Sequence, residues 1–180
     1  IALTMLTLSG CGGKGGTPPL IDIEGYEQAL QRFPGSLSGI DAGVARFQAT
    51  FDDLTASDVG RQFEQTYAET FFFNDTLHTI QQRADLVDYM IRTGAALSES
   101  EVVVHHIVRD QADVYVRWTM DFKTSAACRD IHSKSIGMTH LRFNEAGQVV
   151  LHQDFWDSGH ALYSHLPFVG FAVRRARSAM

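Results

Sequence analysis

Cysteine is nearly absent from this chain: Cys11 and Cys128 are the only two in 180 residues. A disulfide framework and any cysteine-based zinc spacing are therefore excluded, and no metal or cofactor is expected. A basic excess is also missing. Fifteen Lys and Arg stand against 21 Asp and Glu, for a formal net charge of -6. Nucleic acid is not an expected partner, because phosphate affinity comes mostly from neutralising Lys and Arg. No apolar run reaches the roughly 20 residues that a membrane-spanning helix needs. No internal repeat is seen, and the only low-complexity stretch is a short Gly/Pro segment after Cys11.

What the chain does have is apolar mass: 44% hydrophobic residues, 12 of them Phe, enough for one real core and suited to a lined cavity as well. The first eleven residues stand apart. Ile1 to Gly10 is an apolar run ending in small residues, and Leu8-Ser9-Gly10-Cys11 has the form of a bacterial lipobox, in which signal cleavage leaves the cysteine lipidated. Gly12 to Pro19 follows as a flexible spacer. The expected organisation is a signal remnant with lipobox over 1–11, a linker with a short helix over 12–38, and one domain over 39–180. Lipidation at Cys11 would place the protein on a membrane of the bacterial cell envelope.

Periodicity then divides the domain. Ile23–Phe33 forms a short helix stopped by Pro34-Gly35, and Val44, Phe47 and Phe51 fall at helical spacing within 40–51. Thr55–Asp58 offers N-cap chemistry for a helix running to about Glu69, and Arg83–Leu97 reads as another. Phe71-Phe72-Phe73 is too apolar for an exposed turn and should enter the core. After Ser98 the period becomes two, with strands over 102–108, 112–123, 131–143 and 148–157. Asn144–Gly147 is a hairpin turn in which Gly147 takes positive φ. Alternation puts His105 and His106 on opposite strand faces, which excludes joint chelation. Asp157 is an N-cap for the segment from Ser158. The tail over 162–180 reads as an interrupted helix whose basic end either docks on the domain or touches a membrane surface.

Helices followed by antiparallel strands indicate an α+β domain. The stretches His140–Val150, Gln153–Asp157 and Tyr67-Ala68-Glu69 with Asp75 resemble ketosteroid isomerase, limonene epoxide hydrolase and the SnoaL-like polyketide cyclases of the nuclear-transport-factor-2-like superfamily. The resemblance covers most of 42–157. It implies a cone: a curved antiparallel sheet with N-terminal helices packed on its concave face and a C-terminal helix. It also implies which strand faces look inward. His152, Asp154 and Trp156 share one face of the last strand, Val116, Trp118 and Met120 one face of the second, and Thr139 faces them from the third. Phe47, Tyr67 and Phe73 would complete the pocket.

The catalytic roles transfer unevenly. Asp75 falls at the base position of the isomerases, but their tyrosine is Phe47 here and their second acid is Thr139. Asp154 matches one aspartate of the epoxide hydrolases, whose arginine and other aspartate fall at Trp118 and Met120, while Asp75 stands at their asparagine. The cyclases need only an acid/base aspartate on the closing strand, a role open to Asp154 with His152 beside it. Asp75 is equally explained as a turn residue, and His152 as a packed strand histidine. Two readings result: a pocket for a small apolar ligand, or an acid-base enzyme using Asp154, His152 and Asp75. The outer sheet face is a candidate homodimer surface.

Overall fold

Period-two patterning and contiguous aromatic runs build one sheet together, although only the first is visible as strand in the sequence. The computed structural model describes residues 22–126, 129–165 and 169–179. Cys11, where lipidation is expected from the sequence, and Cys128 lie outside the described residues. The elements are α1 (Ile23–Arg32), α2 (Ile40–Asp52), α3 (Val59–Thr66), β1 (Tyr67–Asn74), β2 (Thr79–Gln82), α4 (Arg83–Ala96) and β3 (Leu97–Asp110). They continue with β4 (Asp113–Ala126), β5 (Arg129–Phe143), β6 (Val149–Trp156), α5 (Ser158–Ala161), a 3-10 turn at Tyr163–His165 and α6 (Val169–Ser178).

The six strands form one curved, unclosed sheet in the order β2-β1-β6-β5-β4-β3. Its ladders are antiparallel except β1–β6, which run parallel and join the chain's first strand to its last. The helix expected to run to about Glu69 stops at Thr66, because Tyr67–Asn74 goes into this ladder. Phe71 and Phe73 point to the concave side and Phe72 to the convex side, and all three are buried. A strand covered on both faces shows no alternation, which is why the run reads only as apolar.

The concave face holds the main core. α2, α3 and α4 place Phe47, Phe63, Leu86 and Met90 against Val114, Trp118 and Leu141 of the sheet. Each fully buried side chain of this size contributes about 1.5–3 kcal/mol of hydrophobic stabilisation. The hairpin after β5 turns at Gly147 with φ +71°, as its sequence requires. Asp157 caps α5 by accepting from His160 N at 2.9 Å.

Two further features depart from the expected picture. α1 does not join the other N-terminal helices on the concave face. Its Tyr26, Ala29 and Leu30, with Phe33 just past its end, pack on Phe72 and Leu151 of the convex face, so the short helix expected between spacer and domain is docked on the sheet. The second departure is a β-bulge between Val104 and His106. It restores both histidines to the outer face, where His105 Nε2 lies 2.8 Å from Thr119 Oγ1 and His106 Nδ1 2.8 Å from Arg117. Simple alternation had separated them, and the extra residue cancels that separation.

Candidate functional site

Between the concave face and the helices lies a cavity of about 510 Å³, within the range of small-molecule sites. Its walls are Phe47 and Phe51 from α2, Tyr89 and Met90 from α4, Trp118 and Met120 from β4, and Trp156 from β6. Leu162, just past α5, closes one side. The position of the two indoles has a local cause. Gly137 lies between them in register, paired with Trp118 on one side and Trp156 on the other. A Cβ at Gly137 would stand 2.3 Å from Trp118 Cζ2, so glycine is what lets that indole lie across the sheet.

Polar groups enter this apolar space at two places. On β6, Asp154 Oδ1 accepts from Thr139 Oγ1 at 2.5 Å, and Thr139 in turn accepts from Trp118 Nε1 at 2.8 Å. Behind Asp154 sits His152, whose Nε2 is 2.9 Å from the same Oδ1 but out of line for a directed hydrogen bond. His152 Nδ1 is 2.7 Å from Tyr67 Oη. Tyr67 is fully buried, and burial, with the charges of Asp154 and Asp75, pushes its phenol well above the ordinary range. Nδ1 is the one acceptor its hydroxyl has among the described residues, and an orphaned buried donor would cost about 1–3 kcal/mol. That donation makes Nδ1 an acceptor and assigns the ring proton to Nε2, facing Asp154. Asp154 Oδ2 makes no hydrogen bond among the described residues and is left to the cavity.

The second place is Asp75, in the turn after β1. Its Oδ1 accepts from Leu77 N and His78 N at 2.8 and 2.7 Å, and its Oδ2 accepts from Tyr89 Oη at 2.6 Å. Desolvation, followed by the Asp75 charge, raises the Tyr89 phenol well above its usual value. Trp156 Nε1 donates to the Asp75 backbone carbonyl at 2.7 Å. Both carboxylate oxygens of Asp75 are thus engaged in holding the turn, α4 and an indole together.

The sequence-derived residues separate accordingly. Asp75, Asp154, Phe47, Phe73, Trp118, Met120, Thr139 and Trp156 all line the cavity. Tyr67, His152 and Val116 face the same side but stand behind the wall, each 1% exposed or less. The wall residues not assigned to the pocket from the sequence include Phe51, Tyr89, Met90, Val104 and Leu162. Phe51 and Tyr89 carried a signal, since each continues the apolar stripe of a helix already placed over the sheet. Among the described residues, no cluster of three or more His, Cys, Asp or Glu could hold a metal ion.

A SnoaL-like domain model matches residues 44–152. No curated protein matches the chain. Solved structures similar to it include a protein from Shewanella putrefaciens CN-32 named as a candidate SnoaL-like polyketide cyclase: 16% identity, TM-score 0.57, 66% of this chain and 92% of that one. An M. tuberculosis epoxide hydrolase of the limonene type is similar at 14% identity and TM-score 0.55, over 78% of this chain and 92% of that one. A Catenulispora acidiphila protein with a ketosteroid isomerase-like fold, solved with trimethylamine, is similar at 16% identity and TM-score 0.56, over 67% and 88%. At such identities the structures speak for the fold alone, and the fold is one that encloses a small-molecule pocket. With 44–152 spanning more than half of its length, the chain belongs to the SnoaL-like domain family.

Proposed function

We propose that this domain binds a small, mainly apolar molecule in the cone cavity and anchors it at Asp154. The observation that carries the reading is the contrast inside the cavity: walls dominated by aromatic and aliphatic side chains, with one carboxylate oxygen free to face the interior. Burying a carboxylate in such a space costs several kcal/mol unless something compensates it, so its presence calls for a use. The chain's two tryptophans, Trp118 and Trp156, both line the cavity, which makes intrinsic fluorescence a direct reporter of occupancy. Small apolar compounds of differing charge should give a saturable change in that fluorescence. A signal that stays linear for all of them, with no thermal stabilisation, would refute the reading.

A second reading, an acid-base enzyme, draws support from the Tyr67–His152–Asp154 line. In that reading Asp154 alone moves the proton, His152 positions it, and Asp75 holds the turn. A small apolar ketone incubated in D₂O with the protein should then exchange its α-protons faster than in buffer, and Asp154→Asn should lower that rate by about 100-fold. An unchanged rate with the variant removes this reading.

The same proposal includes the anchor. The apolar run, the lipobox-like Leu8–Cys11 and the Gly/Pro spacer support acylation of Cys11 and attachment to an envelope membrane. No helix among the described residues is long and apolar enough to cross a membrane. Cys11→Ser should release the protein from membranes, and a mature N-terminus found elsewhere, with membrane association intact, would overturn the anchor.

A further inference from the structure

The donors inside the cavity are already spent. Trp118 Nε1 is used on Thr139, Thr139 Oγ1 on Asp154, Tyr89 Oη on Asp75, and Trp156 Nε1 on the Asp75 carbonyl. The Thr124 hydroxyl bonds Ala96 O, and that of Thr93 lies beside the Tyr89 phenol. The remaining donor side chains on the lining, His78 and Arg92, are exposed. What faces the interior is ring surface and a single free acceptor, Asp154 Oδ2. A ligand group that can only accept hydrogen bonds, such as a carboxylate or phosphate, would be desolvated there without a partner. A donor, above all a positively charged one, meets both the carboxylate and the rings.

A second observation comes from the opposite face of the sheet. There Tyr26 Oη lies 2.7 Å from His140 Nδ1, and His140 Nε2 lies 2.7 Å from Asp113 Oδ1. This repeats the Tyr67–His152–Asp154 arrangement, with the histidine equally buried at 1% exposure. On the convex face the set is completed by a cation of the chain itself, since Arg142 Nε donates to Asp113 Oδ1. On the concave face no Lys or Arg of the described residues pairs with Asp154, and the Tyr67 hydroxyl engages His152 Nδ1. The donor that Arg142 gives Asp113 Oδ1 is matched at Asp154 Oδ1 by the uncharged Thr139 hydroxyl, and Asp154 Oδ2 is left to the cavity without a cation among the described residues.

We propose that the ligand of this cavity is an organic cation: a compact apolar body carrying one ammonium group that pairs with Asp154 Oδ2 beside Trp118 and Trp156. The inference rests on the pocket reading above and names the chemical class it takes. A metal ion is not an equivalent occupant, because hard cations require several oxygen ligands and the cavity frees one. The aromatic walls suit a poorly hydrated, alkylated ammonium, which gives up little solvation on entry.

The test uses three probes of similar shape on the full chain: benzyltrimethylammonium, its neutral carbon isostere neopentylbenzene, and phenylacetate. Tryptophan fluorescence and calorimetry would give each dissociation constant. The cation should bind about tenfold or more tightly than the neutral isostere, phenylacetate should bind worst, and Asp154→Asn should erase the preference. Equal or tighter binding of neopentylbenzene overturns the cation while leaving the pocket reading standing. Failure of all three probes to bind takes down the pocket reading and this inference with it. The wild-type comparison decides the question even if the variant folds poorly.

Discussion

The two faces of the sheet carry the same three residue types in the same order of contact, and they put them to different uses. Tyr26–His140–Asp113 on the convex face and Tyr67–His152–Asp154 on the concave face lie on neighbouring strands, with β5 and β6 each supplying one histidine. The convex set is closed. Arg142 neutralises Asp113 and also donates to the carbonyls of Leu30 and Phe33 at 2.7 and 2.9 Å, which satisfies the C-terminal end of α1. The concave set is open. Asp154 has a threonine hydroxyl and the His152 imidazole for company, and its second oxygen looks into the cavity. A buried Tyr–His–Asp series is therefore no signature of function by itself. Counter-charge and access decide whether it clamps a helix or waits for a ligand.

The largest expected break in this comparison is on the closed side. Arg142→Met leaves Asp113 and His140 without their cation and α1 without its C-terminal donor. Removing one partner of a mostly buried pair costs about 3–5 kcal/mol, and partial exposure of Asp113 moves the expectation to about 2–3 kcal/mol. Denaturant titration should show this loss, and hydrogen exchange should show α1 amides opening first. An unchanged midpoint would mean that α1 is held by Phe72 and Leu151 alone. Next in size is Gly137→Ala on the open side, where the new Cβ would fall 2.3 Å from Trp118 Cζ2. Overpacking of this kind costs about 1–3 kcal/mol. The displaced indole should also weaken ligand binding, with a shift in tryptophan emission as the readout.

How much of this contrast could be read in advance depends on burial. The inward sets on β4 and β6, the hairpin at Gly147 and helices α2 and α4 were legible because one face of each is apolar and the other polar. β1 was not, since Phe71 to Phe73 are covered on both sides, and its parallel pairing with β6 leaves no local mark. The convex clamp was missed for a related reason. Its members Tyr26, Asp113, His140 and Arg142 come from three elements and look like ordinary outer-face polar residues until α1 is placed over them. The apolar stripe of α1 was the available signal, because Tyr26, Ala29, Leu30 and Phe33 need a surface that a linker would not supply. Asp154 was legible as an inward residue, whereas its lack of a counter-ion was not, because that is a property of everything packed around it.

Acid should loosen the closed set. Burial holds the His140 imidazole below its usual 6.5, although the Asp113 hydrogen bond opposes this. Below pH 6.5 the unfolded chain therefore binds a proton that the folded chain refuses, and stability falls as pH drops from 6.5 towards the folded value. Asp113 acts in the same direction at lower pH. Its burial favours the acid form, but hydrogen bonds from Arg142 and His140 win and hold it below 3.8. Melting temperature should thus decline from about pH 7.5 to 5, less steeply in His140→Gln. A pH profile identical in the variant would detach His140 from the effect.

The smallest expected effect sharpens the comparison most. Asp154→Asn keeps an oxygen for the Thr139 hydroxyl and removes a charge that no Lys or Arg of the described residues balances. Its stability should move by less than about 1 kcal/mol, and a gain is as consistent as a loss, since an uncompensated charge in an apolar cavity is itself a cost. Asp113→Asn offers the control. There an oxygen also remains, but Arg142 loses the anion that balances its charge, so the same chemical change should cost clearly more. The two variants are isosteric changes in matched surroundings, and the difference between them isolates what the counter-ion contributes. If both lose the same stability, Asp154 is a structural carboxylate like its convex counterpart, and the open set is open by accident of packing. If Asp113→Asn is damaging while Asp154→Asn is nearly silent in stability but alters ligand binding, the charge at Asp154 is kept for an occupant of the cavity.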